Sequence, residues 1–395
     1  MKTSQQDEGK FPPLNQEMIG LISDLEEILQ NPAVEAAYNT AISNVTPLVF
    51  FHGKIQDNPW KGQTKEFFIN YFREWFTFLP IPTKGLGKIQ PFTFFYLDNP
   101  SAFFFLNELK SKKYPDLEYS KEIFNWTVEF IRARGRFMDS PESKMYIDAW
   151  LKDPSSNMTD FIEPPGGFKS FNQFFTRELK MSVNPRPIAE PDDDSVVVAP
   201  ADSEINVIES DLTLSTPLKV KSRQINVRDL LDGSHYAKNF VGGTAVSCVL
   251  MPNSYHRYHA PVTGEIMESR EVPGIYNGIT DGEDWFNHGN IGESTTDFSI
   301  FEDFHRAYFI IKTKDFGMVA MIPVGLNTIS ALFASMINHK STMVPRGKPP
   351  VAVKKGDELG HFAYGGSLNI LLFQRGVFDS LSLYMGQRIG KMKKL

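Results

Sequence analysis

The chain reads as an α+β protein, with a helical N-terminal region followed by a mostly antiparallel β region. Three observations predict this. As far as about residue 155, apolar residues recur at intervals of three and four, the spacing of one helix face. From about 195 to 375 short β-type runs take over, separated by Gly, Pro and Asn. Between the two lies a turn-rich stretch, 153–169.

The elements follow in order. Residues 1–15 begin with the polar run Met1-Lys2-Thr3-Ser4-Gln5-Gln6-Asp7-Glu8 and read as a disordered leader without the apolar stretch of a secretory signal. A helical domain is expected over 16–155. Met18, Ile19, Leu21, Ile22, Leu25, Ile28 and Leu29 mark its first helix. Similar stripes in 64–79 (Phe67, Phe68, Tyr71, Phe72, Trp75, Phe76) and 119–133 (Ile123, Phe124, Trp126, Val128, Phe130, Ile131) mark two more. Asn99-Pro100-Ser101 reads as a helix start before Phe103. A catalytic domain is expected over 168–395. Ser170 caps a short amphipathic helix running to Leu179, and Asn184-Pro185-Arg186-Pro187 stops it. The clearest predicted strands are 196–198, 244–251, 308–311, 318–324 and 370–373.

A chain of 395 residues is long enough for two domains. Its 41% apolar and 22% charged residues are ordinary for a soluble globular protein. A net charge of -6 and the lack of a long basic run argue against a nucleic-acid partner. Cys248 is the one cysteine, so no intrachain disulfide can form, which fits a reducing compartment. No run approaches the roughly 20 apolar residues that span a bilayer. A cytoplasmic protein, soluble or at most peripheral to a membrane, is expected. The 33 Phe are unusual, and segments such as Phe92-Thr93-Phe94-Phe95-Tyr96 and Phe103-Phe104-Phe105 crowd the first third. They predict a ring-packed helical core; a greasy lid or membrane-facing patch is the alternative use.

Chemistry is suggested by Tyr364-Gly365-Gly366-Ser367-Leu368, read with Ala199-Pro200-Ala201-Asp202 and Tyr255-His256-Arg257-Tyr258-His259-Ala260-Pro261. Backbone cleavage at a serine needs a hydroxyl that reaches the preceding carbonyl. It also needs a preceding residue that tolerates a strained backbone, as glycine does, and a base oriented by a carboxylate. Ser367 follows Gly365 and Gly366, His259 can be the base, and Asp202 the orienting acid. Taken alone, Gly-Gly-Ser is an ordinary hairpin turn and Asp202 an ordinary turn residue. His256 and His259 lack a third ligand at a recognisable spacing, so no metal is expected. A Ser-His-Asp hydrolase is disfavoured because Ser367 lacks the Gly-x-Ser-x-Gly elbow.

Ser170-Phe171-Asn172-Gln173-Phe174-Phe175-Thr176-Arg177, Arg186-Pro187-Ile188, Ala199 to Asp202, Tyr255 to Pro261, Lys355-Gly356-Asp357-Glu358-Leu359-Gly360 and Gly365-Gly366-Ser367 occur in that order. Together they closely resemble the phosphatidylserine decarboxylase family of pyruvoyl enzymes, over about 168–376. The helical region more loosely resembles the extension of the family's soluble branch, which includes fungal L-tryptophan decarboxylases, through residues such as Asn31-Pro32-Ala33-Val34.

The resemblance implies self-cleavage between Gly366 and Ser367, with His259, oriented by Asp202, assisting. Ser367 would become a covalent pyruvoyl group, the cofactor, acting as electron sink for decarboxylation. The fragments 1–366 and 367–395 would stay associated, and a homodimer is left open. His259 would also return a proton to the product, while His256 would support the loop or the substrate carboxylate and Gly365 the turn. Two departures stand out. Ser203 follows the motif Asp where the family often has Gly, and Leu368 follows the processed serine where it often has Ser or Thr. The favoured substrate is a free L-amino acid of aromatic type. The alternative is phosphatidylserine, decarboxylated to phosphatidylethanolamine at a membrane surface. An unprocessed binding protein is the remaining possibility.

Overall fold

The structure is a computed structural model. It describes residues 12–50, 54–82, 87–96, 99–105, 120–214, 226–274, 305–326, 332–334, 336–337, 340–382 and 385–386. The expected disordered leader lies mostly outside the described residues.

Helices build the N-terminal region: α1 (Gln16–Ile28), α2 (Pro32–Ser43), α3 (Lys65–Thr77), α4 (Ile89–Tyr96), α5 (Lys121–Asp139) and α6 (Ile147–Lys152). A small hairpin of β1 (Leu48–Phe50) and β2 (Lys54–Gln56) interrupts them. Each predicted stripe forms its helix. Asn15 caps α1 by accepting from the Met18 N–H at 2.9 Å, and Ser120 caps α5 through Ile123 at 3.3 Å. The rings pack edge to face, with Phe72 5.0 Å from both Trp126 and Phe130. Phe92, Phe95, Tyr96 and Phe105 are all buried in this core. These four rings therefore serve packing and do not form a greasy surface. Asn99 does not start an α-helix. Its amide donates to the Ala41 and Phe95 carbonyls, 2.9 and 2.8 Å, and a 3₁₀ stretch, Pro100–Phe105, follows it among the described residues.

Among the described residues the remainder carries α7 (Phe171–Phe175), α8 (Val227–Leu230) and the strands β3 (Glu204–Ser210), β4 (Thr244–Leu250), β5 (Arg257–His259), β6 (Gly264–Val272), β7 (Arg306–Lys312), β8 (Met318–Leu326), β9 (Leu332–Ala334), β10 (Met336–Ile337), β11 (Lys340–Ser341), β12 (Val351–Val353), β13 (Glu358–Phe362) and β14 (Gly366–Phe373). A seven-stranded sheet runs β12-β6-β7-β8-β14-β4-β3, and a three-stranded one β5-β13-β9. All pairings within both sheets are antiparallel.

The last long strand is inserted between β8 and β4, and its alternating side chains feed two cores. Leu368, Ile370 and Leu372 enter one with Val227, Leu230 and Phe240; Leu371 and Phe373 enter the other with Cys248, Tyr258 and Phe362. Full burial of each such aliphatic side chain contributes about 1.5–3 kcal/mol.

Two expected elements are shorter than the sequence suggests. The helix after Ser170 ends at Phe175, although Ser170 caps it through the Gln173 N–H at 3.1 Å. Residues 196–198 join no sheet: the Val198 N–H donates to the Pro261 carbonyl at 3.0 Å, and the Val196 carbonyl accepts from Lys355.

Candidate active site

Ser367 is the second residue of β14, opposite Leu250 on β4 and Gly325 on β8. Its hydroxyl is buried and has no hydrogen-bond partner. Asn369, two residues on and therefore on the same face, has both side-chain polar atoms unpartnered as well. Each buried unsatisfied group costs about 1–3 kcal/mol, so such a strip inside an apolar layer calls for a chemical reason. Gly366 is already in the ladder, opposite Leu326. The Gly366–Ser367 bond thus lies in extended chain at the start of a central strand, not on the tip of a strained glycine turn as expected.

His259 ends β5, and both its ring nitrogens are engaged. Nδ1 lies 2.7 Å from the Gly356 carbonyl, which can only accept, so Nδ1 carries the hydrogen. Nε2 then has a free lone pair and accepts from the Tyr255 hydroxyl at 2.9 Å. Burial holds the imidazole pKa below its ordinary value, so the ring is neutral and basic at Nε2 near neutral pH. Burial also raises the Tyr255 pKa, keeping the phenol protonated as the donor. The Lys355-Gly356-Asp357 turn is shaped for this. Gly356 has φ +90°, a backbone region that side chains rarely adopt, so any substitution there is strained. The buried Lys355 ammonium ties the turn to the Glu190, Asp193 and Val196 carbonyls at 2.7, 2.7 and 3.2 Å.

Asp202 does not orient His259 through a hydrogen bond. Both its oxygens accept from Arg186, Nε at 2.8 Å and Nη2 at 2.7 Å, while Arg186 Nη1 holds Asp160 at 2.8 Å. A planar guanidinium satisfies a carboxylate two bonds at a time, which an imidazole cannot match. The link to His259 is instead through the backbone, where its N–H donates to the Pro200 carbonyl at 2.8 Å. Neither Asp202 nor His259 bonds the Ser367 hydroxyl.

His256 is fully buried. Its ring stacks on Phe175 with centroids 3.7 Å apart, Nδ1 donates to the Ser254 carbonyl at 3.0 Å, and Nε2 is unpartnered. Burial, with Arg177 adding repulsion, pushes its pKa down to about 3. Arg177 lies over the Phe161 and Phe174 rings and donates to the Asn253 carbonyl at 2.8 Å, which fixes the loop entering the histidine pair.

Gly365 follows Tyr364, whose ring is set into the helical core against Phe171 and Phe175, both at 5.4 Å. The Tyr364 N–H donates to Asn172 Oδ1 at 3.1 Å. Tyr255, Gly356, Arg186 and Asn172 were not singled out as site residues from the sequence, although all four lie inside the motif segments quoted above.

Among the described residues no helix is long and apolar enough to cross a membrane. A profile for phosphatidylserine decarboxylase matches residues 171–391, more than half of the chain, and spans the histidine pair and Ser367. The chain is 31% identical over 276 residues to a phosphatidylserine decarboxylase proenzyme of Fusobacterium nucleatum, covering 66% of this chain and 82% of the relative. It is 33% identical over 271 residues to phosphatidylserine decarboxylase proenzyme 3 of Schizosaccharomyces pombe, covering 65% of this chain but only 26% of that longer protein. The match to phosphatidylserine decarboxylase proenzyme 2 of rice is 31% over 248 residues, 62% of this chain and 36% of the relative. The chain therefore belongs to the phosphatidylserine decarboxylase family of pyruvoyl-dependent decarboxylases.

Proposed function

We propose that the chain cuts its own backbone between Gly366 and Ser367, that Ser367 becomes a pyruvoyl group, and that the matured protein decarboxylates phosphatidylserine. The observation that carries this is the Ser367 hydroxyl, buried and unpartnered at the head of a central strand within the family match.

The surroundings fit a small neutral keto group. Conversion removes the orphaned hydroxyl, and the layer around it, with Leu250 opposite, is apolar. In our reading the Ser367 oxygen attacks the Gly366 carbonyl carbon, the peptide C–N bond breaks, and an ester links the two residues. His259 Nε2 receives the hydroxyl proton, so Tyr255 must release that nitrogen first. Loss of the Ser367 α-proton and of the Gly366 carboxylate, then hydrolysis with release of ammonia, leaves the keto end. Asp202 acts at one remove, its pair with Arg186 fixing the loop whose Pro200 carbonyl holds His259. His256 supports that loop, and its open Nε2 is available to a substrate group. When present, the pyruvoyl group supplies the electron sink for carbon dioxide loss.

The relatives' names favour the lipid over the free aromatic amino acid expected from the sequence. One observation keeps the free amino acid as a second reading: Phe92, Phe95, Tyr96 and Phe105, which could have offered a membrane-facing patch, are core. The test is to measure carbon dioxide release by purified protein from phosphatidylserine vesicles and, separately, from aromatic L-amino acids. Intact mass is recorded in parallel. Two fragments and turnover of the vesicles are expected. Turnover of amino acids alone would reverse the substrate assignment, and a single intact 44.8 kDa species would end the proposal altogether.

A further inference from the structure

We infer that Asn172 is a positioning residue for self-cleavage, joining the helical N-terminal region to the bond that is cut. This rests on the reading that cleavage falls between Gly366 and Ser367.

Asn172 is buried on α7 and uses both ends of its amide. Oδ1 accepts from the Tyr364 N–H at 3.1 Å, and Nδ2 donates to Asp139 Oδ1, at the last residue of α5, at 2.8 Å. The same short helix is tied to the helical region by the Phe171 N–H, which donates to Ser143 Oγ at 2.8 Å. Tyr364 is held from the same side. Its ring meets Phe171 and Phe175 edge on, and Arg134 of α5 lies 5.8 Å from the ring centre. Arg134 is itself fixed by the Trp75, Phe76 and Phe78 carbonyls at 2.6, 3.1 and 2.9 Å, around the C-terminal end of α3.

The scissile bond therefore lies between two anchors. Upstream, Tyr364 is clamped to the helical region; downstream, β14 is paired on both sides. Gly365 alone separates Tyr364 from the first paired residue, Gly366. A shift of Asn172 passes through one residue to the Gly366 carbonyl that Ser367 must reach. Reacting atoms misplaced by about 1 Å can lose roughly 100-fold in rate.

The experiment follows the full chain in cell-free synthesis, pulse-labelled and sampled on denaturing gels, with thermal melts of each purified variant. Asn172→Asp keeps an acceptor for Tyr364 but sets a second carboxylate against Asp139. It is expected to slow cleavage about 10–100-fold, by displacement of the reacting atoms. The Asn172→Asp/Asp139→Asn double variant exchanges donor and acceptor and re-forms both bonds; its rate is expected to return to within about 3-fold of the parent, as paired changes in one network do. The melts separate positioning from a merely structural role: positioning slows cleavage in a single variant that still melts as a folded protein, whereas a structural role would lower the rate only in step with the melting temperature. Parental cleavage by Asn172→Asp, or a double variant as slow as the single, overturns the inference while leaving the proposed function standing. If Asn172→Asp does not fold, Asp139→Ala decides, because Asp139 is exposed and its loss is tolerable: cleavage slower than the parent supports the coupling, and parental cleavage overturns it. A parent chain that is never cut removes the proposed function and this inference together.

Discussion

At the scale of single residues, the site is set by which lone pairs are spent. Ser367→Ala removes the attacking oxygen, and complete loss of cleavage and of carbon dioxide release is expected, read by intact mass and gas release. His259→Ala is expected to block maturation; normal splitting would remove His259 from that step. The histidines also give a pH signature. The folded-state pKa of His256 is about 3 against an ordinary value near 6.5. Between these values the unfolded chain binds the proton and the native chain does not, so stability falls as pH drops from about 6.5 toward 3. The slope from this one buried group is up to about 1.4 kcal/mol per pH unit. Urea melts across that range should show a shallower slope for His256→Phe, which keeps the ring stacked on Phe175. His259 is shifted in the same direction by burial, so it remains an unprotonated base somewhat below its ordinary pKa. The cleavage rate is accordingly expected to hold on modest acidification and to fall only when the pH passes below that lowered value.

At the scale of elements, β14 carries the proposed cleavage site and is a structural centre. Its ladders to β4 and β8 fix the position of Ser367, and its two faces fill separate cores. Ile370→Ala, in a fully buried position, is expected to destabilise the protein by about 2–5 kcal/mol, measured by chemical denaturation. If the chain is cut as proposed, the same change should loosen the 367–395 piece, because β14 pairs with β4 and β8 of the larger piece. The β5 strand and the Gly356 turn form the second functional element. They place His259 by main-chain geometry: Ala260 N–H donates to the Asp357 carbonyl at 2.8 Å and Gly356 N–H to the Ala260 carbonyl at 2.9 Å. The stripes at 64–79 and 119–133 were legible because an amphipathic helix writes its own period. By contrast, β6 (Gly264–Val272) carries Glu265, Glu268, Arg270 and Glu271, and a register shift between Ile266 and Glu268 breaks the alternation that would have marked it.

At the scale of the whole molecule, the helical region and the sheets meet beside the proposed cleavage site. Tyr364 belongs to the helical core although it lies three residues before Ser367 in the C-terminal part. Matured protein is expected to elute as one particle under native conditions and to separate into two chains only in denaturant, since β14 pairs with strands of the larger fragment on both edges. Size exclusion with mass detection checks this; a freely dissociating 367–395 fragment would contradict it.

The α+β class, the helix faces, and the ordered motifs that identify the family and single out Ser367, His256, His259 and Asp202 are all legible in the residues alone. These are local signals, carried by spacing and by residue types within a few positions of one another. How those residues are used emerges from the fold. It gave Asp202 to Arg186, Tyr255 to His259 and Tyr364 to Asn172, and it left the Ser367 hydroxyl unpartnered. Partner choice between distant segments depends on which donors and acceptors packing brings within about 3 Å, and spacing along the chain does not encode that.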